Sequence, residues 1–180
     1  MPFLEKYGFE TYPFGLTPNI DLYYPSAESE SMLAGMLFAL SRGDGLLKVV
    51  GKIGTGKTLI SRMLIARLPE KDFNTAYINC PINISSIEIP DLLVSEFGIK
   101  RKKGEDAMAA LQAFLLKEHG KGKRNVLILD EAQALGEVGL EAVRLLTNLE
   151  TETDKTLQII LLGQPELDRQ LKKKTMRQLL

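Results

Sequence analysis

The chain has 180 residues, and its 23 Lys plus Arg balance 23 Asp plus Glu, so the formal net charge is zero. Residues 1–90 carry 8 basic and 9 acidic side chains and residues 91–180 carry 15 and 14, so neither half is a charged tail built for wholesale binding to nucleic acid or anionic membrane. An apolar share of 44% predicts one globular domain with a sizeable core, and the single cysteine, Cys80, excludes an internal disulfide framework and disfavours a cysteine-based zinc site.

The first 28 residues mix Pro13, Pro18 and Pro25 with Tyr7, Phe9, Tyr12, Phe14, Tyr23 and Tyr24, which predicts an ordered, extended arm. Residues 29–41 place Met32, Leu33, Met36, Leu37 and Leu40 at helical spacing, with Ser29 as the expected N-cap. A short apolar strand follows at 46–50, then a helix at 57–68 and a second strand at 75–79. Pro90 marks the start of a helix over 91–97. Beyond a basic loop at 100–103, a helix covers 105–119, a basic turn 120–124 and a third strand 126–129. A helix at 137–150, a fourth strand at 157–162 and a helix opened by Pro165 complete the chain. Strands that are apolar throughout and separated by helices predict an α/β fold with a parallel sheet covered on both faces. No apolar run approaches the roughly 20 residues of a membrane span. The N-terminus lacks the order of a signal peptide, so the expected location is cytoplasmic.

The motif that carries chemistry is Gly51-Lys52-Ile53-Gly54-Thr55-Gly56-Lys57-Thr58, a full match to G-x-x-x-x-G-K-[ST] set between a strand and a helix. Glycines let such a backbone curl until successive N–H groups converge on an anion, and the helix adds its positive end. Lys57 is expected to reach the β- and γ-phosphates and the Thr58 hydroxyl to ligate Mg²⁺. The predicted nucleotide-binding set is Gly51, Lys52, Ile53, Gly54, Thr55, Gly56, Lys57, Thr58 and Leu59, with ATP and Mg²⁺ as the bound groups. The third strand runs Val126-Leu127-Ile128-Leu129 into Asp130 and Glu131. Asp130 is the expected Mg²⁺ support and Glu131 the general base. Guanine specificity usually needs an Asn-Lys-x-Asp element; the only later Asn is Asn148, whose neighbours do not fit.

Gln164, at the end of the fourth strand, is either a third catalytic residue that senses phosphate or orients water, or a turn residue before Pro165. Gln133 is either a second polar site residue or a helix N-cap. His119 closes a helix, where a cation suits the negative end. Cys80 reads as a small buried filler. The lysines at 100–103 and 172–174 read as solvated faces, with nucleic acid as the alternative partner.

Tyr7-Gly8-Phe9, Pro13-Phe14-Gly15-Leu16-Thr17-Pro18, the phosphate loop, Leu129-Asp130-Glu131-Ala132-Gln133 and Gly163-Gln164-Pro165-Glu166-Leu167 together resemble the ExeA/GspA-like AAA+ ATPases. The resemblance covers nearly the whole chain. It implies a P-loop core of the additional-strand class, ATP with Mg²⁺, homo-oligomers with nucleotide at subunit interfaces, and service to a type II secretion or type IV pilus apparatus. It places residues 1–45 as an arm and helix flanking the nucleotide, with Pro13-Phe14 beside the adenine, and residues 46–180 as the ATPase core. Where such proteins usually carry a His and a Glu before the first strand, this chain has Ser29 and Ser31. Arg177 is the candidate arginine finger. The implied sheet has five strands in the order 5-1-4-3-2 and a helical lid; four strands are visible here, so the chain reads as truncated before the fifth, with the loop-bearing strand at an edge. The alternative expectations are a DNA-binding ATPase regulator resembling the transposition target-selection proteins that share this core, or a nucleotide-gated interaction module with negligible hydrolysis.

Overall fold

A computed structural model describes residues 2–10, 12–13, 15, 19–80, 88–151 and 154–173. Four strands form one parallel sheet: β1 (Leu46–Val50), β2 (Phe73–Asn79), β3 (Arg124–Asp130) and β4 (Gln158–Gly163), in the order β1-β4-β3-β2. That order agrees with the predicted arrangement, and among the described residues β1 is an edge. Edges invite pairing with other chains. Lys48, the exposed residue at the centre of β1, sets a charge there, and its Nζ donates to Asp168 Oδ1 at 2.6 Å.

Alternation along the strands divides the core in two. Leu127, Leu129, Ile159 and Leu161 face one layer, with α4 (Glu88–Glu96), α5 (Ala107–Gly120), α6 (Gly136–Thr147) and α7 (Pro165–Leu171). Val126, Ile128, Ile160 and Leu162 face the other, where they meet α2 (Ala27–Arg42) and α3 (Lys57–Arg67). Both central strands are therefore apolar on both faces. Each of these side chains stabilises the fold by about 1.5–3 kcal/mol when fully buried.

The elements depart from expectation at their ends. α2 begins two residues early because Ser26, not Ser29, is the N-cap: its Oγ accepts from Ser29 N at 3.2 Å. Ser29 instead accepts a hydrogen bond from the Tyr23 hydroxyl at 2.7 Å. α5 starts at Ala107 because the Asp106 carboxylate accepts from Ala109 N at 2.9 Å. α4 begins at Glu88, ahead of Pro90, and α6 stops at Thr147. β3 absorbs Arg124, which was placed in a turn. The arm is not simply extended: α1 (Pro2–Tyr7) is helical, and Phe3, Tyr7 and Phe9 gather with ring centroids 5.2–6.3 Å apart.

The register brings the strand ends level. Val50 pairs with Gly163, and Asn79 with Asp130. Gly51 N then donates to Gly163 O at 3.0 Å, so the glycine loop leaves β1 directly beside the end of β4. The C-terminal rim of an open parallel sheet is where such folds bind ligands.

Candidate active site

The loop after β1 turns tightly because Gly54 (φ +78°) and Gly56 (φ +81°) adopt left-handed backbone that a side chain would strain. Gly56 caps α3 without any side-chain hydrogen bond, which leaves the helix N-terminus open to an anion. Lys57 is buried, and its ammonium donates to Gly51 O at 2.9 Å and Lys52 O at 3.0 Å. It is folded onto the loop it belongs to. Ile53, at the loop tip, is 81% exposed, and Leu59 is half-buried in the first turn of α3.

Thr58 and Asp130 are 72 residues apart in the chain, yet Thr58 Oγ1 donates to Asp130 Oδ2 at 2.6 Å. The Tyr77 hydroxyl donates to the same oxygen at 2.8 Å, and Glu131 N donates to Oδ1 at 2.9 Å. Asp130 is only 2% exposed, so these three donors are what keep its charge inside the sheet end. Burial, then the bond to Asp130, holds the Tyr77 phenol well above its ordinary pKa, so it stays a donor. No local sequence pattern singles out Tyr77. It stands opposite Ile128 on the neighbouring strand, and its hydroxyl reaches two pairs further along, to Asp130. That geometry exists only once the β2–β3 register is known.

Glu131 is the one non-glycine residue with positive φ (+54°) among those described. Such backbone costs on the order of 1–3 kcal/mol and concentrates at functional sites. Its carboxylate oxygen Oε2 accepts from Gln164 Nε2 at 3.0 Å and from Gln133 Nε2 at 2.5 Å. Gln164 therefore turns its side chain toward Glu131; it stands at the N-cap position of α7 but makes no side-chain cap bond. The capping role weighed for Gln133 is overturned, because it lies inside the short 3₁₀ turn Ala132–Leu135, whose cap is Glu131.

The structure thus gathers residues 51–59, Asp130, Glu131 and Gln164 on one rim. Phe14, Pro18, Lys174 and Arg177 lie outside the described residues. Cys80 is buried next to the rim, where burial and then the charges of Asp130 and Glu131 push its thiol up to about 12. It is a neutral filler, not a nucleophile. His119 lies in the last turn of α5, its Nε2 3.9 Å from Asp154 Oδ2.

The oxygen donors suit Mg²⁺, which is commonly held by one or two carboxylates together with substrate phosphates. Thr58 and Asp130 provide a hydroxyl and a carboxylate in contact, and no larger cluster of metal-ligating side chains exists among the described residues.

Residues 40–171 match the family model described as "AAA domain". This chain belongs to the AAA family, which is consistent with its resemblance to the ExeA/GspA-like ATPases. Family membership implies a nucleotide, usually with Mg²⁺, and hydrolysis at the level of the family. The AAA domain is 37% identical to General secretion pathway protein A of Aeromonas hydrophila over 98% of this chain, and spans 32% of that relative's length. Solved structures share the fold at low identity. Drosophila ORC bound to DNA aligns with TM-score 0.64 and 19% identity, covering 84% of this chain and 41% of that one. Cdc6p of Pyrobaculum aerophilum aligns at 0.63 and 22%, covering 87% and 45%. The Aeropyrum pernix ORC2 protein, in ADPNP-ADP complexes, aligns at 0.61 and 19%, covering 84% and 44%. No helix among the described residues of the AAA domain is long and apolar enough to cross a membrane.

Proposed function

We propose that this chain binds ATP with Mg²⁺ at residues 51–59 and hydrolyses it, with Glu131 as general base. The observation that carries the reading is the contact of Thr58 with Asp130, with Glu131 next in the chain and Gln164 upon it. In the reaction a water oxygen bonds to the γ-phosphorus and its proton passes to the Glu131 carboxylate. The bond from that phosphorus to the β–γ bridging oxygen breaks, and ADP keeps the electron pair. Bound Mg²⁺ supplies charge neutralisation at the phosphate oxygens. Thr58 and Asp130 would hold it, Lys57 would exchange the loop carbonyls for the phosphates, and Gln164 would orient water or sense phosphate.

The wider role we infer is ATP-linked assembly of a type II secretion or type IV pilus apparatus. The chain would act from the cytoplasm or peripherally at the inner membrane through partners. The identity to General secretion pathway protein A supports this reading. The arm of residues 1–45 would flank the adenine. Nucleic acid is the weaker alternative, since Arg101 pairs with Asp91 at 2.8 Å and Lys173 with Glu137.

The reading also holds that subunits complete one another's sites through a trans arginine, worth roughly 10³–10⁵ in rate. Turnover per subunit should then rise steeply with protein concentration in a phosphate-release assay. Turnover per subunit that stays flat across the assembly range would exclude the shared site.

A further inference from the structure

Gln133 uses both ends of its carboxamide. Nε2 donates to Glu131 Oε2 at 2.5 Å, and Oε1 accepts from Gln164 N at 3.0 Å. Gln164 Nε2 closes the ring by donating to the same Glu131 oxygen at 3.0 Å. The main chain of Gln133 is itself fixed, because its carbonyl accepts from Gln170 Nε2 on α7 at 3.0 Å. The ring thus ties the end of β3 to the end of β4 and the start of α7.

Space for this amide is built into the sheet. A Cβ on Gly163 would lie 2.9 Å from Gln133 Oε1 and 2.8 Å from Leu167 Cδ2. Glycine at the last position of β4 leaves the room that the amide occupies. Glu131 needs such support: its left-handed backbone lifts it off the strand line, and a glutamate has several free torsions beyond that.

We propose that Gln133 is a positioning residue that fixes the Glu131 carboxylate relative to Gln164, so that both address one point beyond the rim. The inference rests on the hydrolysis reading above and adds a residue to it. Misplacing a catalytic group by about 1 Å can cost on the order of 10²-fold in rate. Gln133 would therefore act on kcat, leaving nucleotide affinity to the loop.

The test is Gln133→Met, which keeps the length and removes both hydrogen bonds. Gly163→Ala accompanies it, since it displaces the amide while removing no polar group. Phosphate release gives kcat, and a fluorescent ATP analogue gives Kd, at the concentration of maximal wild-type turnover. Both variants should lose about 10–100-fold in kcat with Kd within about threefold of wild type. In the Glu131→Gln background, Gln133→Met should add no further loss, because the two act as one unit. If Gln133→Met lowers only the thermal midpoint and keeps kcat while Glu131→Gln is inactive, the residue is structural glue and this proposal fails alone. If Glu131→Gln retains wild-type turnover, the hydrolysis reading fails and this one falls with it. A variant that does not fold is replaced by the other, and wild-type kcat in that one overturns the proposal.

Discussion

Lys57→Ala should lower ATP affinity about 100-fold, the equivalent of about 3 kcal/mol, with the fold intact. The figure is the loss of two charge-assisted hydrogen bonds at about 1.5 kcal/mol each. The same ammonium now bonds to Gly51 O and Lys52 O, so it already lies at the mouth of the loop. Removing it leaves two carbonyls facing the anion site with no cation to offset them. The helix N-terminus and the backbone nest remain, and they give the residual affinity. Titration with a fluorescent ATP analogue reads the change, and circular dichroism checks the fold. Wild-type affinity in Lys57→Ala would separate the loop from nucleotide binding.

Asp130→Asn should act on both stability and Mg²⁺ dependence. Three donors converge on this buried carboxylate, from Thr58, Tyr77 and Glu131 N. An amide accepts through one oxygen only, so its NH₂ end faces either Glu131 N, a donor, or the Thr58 and Tyr77 hydroxyls, which must then turn their protons to other acceptors. The expected cost is about 1–3 kcal/mol, read as a lower urea midpoint. Loss of the charge should also reduce the Mg²⁺ enhancement of ATP binding by about 10–100-fold. Tyr77→Phe removes one donor and keeps the charge, so it should cost about 1 kcal/mol and preserve the Mg²⁺ response. An unchanged Mg²⁺ response in Asp130→Asn would remove Asp130 from the metal site.

Much of the fold and of the site is legible in the sequence. β1 has its predicted bounds because an apolar run ends abruptly at a glycine loop. The contact between Thr58 and Asp130 spans 72 residues, yet the motif and the acidic strand end imply it, since both belong at the C-terminal rim. Other features depend on tertiary partners. β2 gains Phe73 and Asn74 because they pair with Arg124 and Asn125, which no local pattern reveals. α1 has no local signature because prolines and aromatics read as extended chain, whereas Phe3 and Tyr7 stabilise each other across a helical turn and Phe9, beyond the helix, packs against both. Gln133 was half legible. Its type points to a polar role and its place two residues after Glu131 to capping, and only the 3₁₀ turn directs its amide onto Glu131.

The measurement that tests the central claim most directly is phosphate release by wild-type protein and Glu131→Gln side by side, with ATP affinity taken on the same samples. Loss of a general base costs about 10²–10⁴-fold. The account predicts that Glu131→Gln binds MgATP within a few-fold of wild type and loses turnover by about that factor. Equal turnover in the two proteins would contradict it.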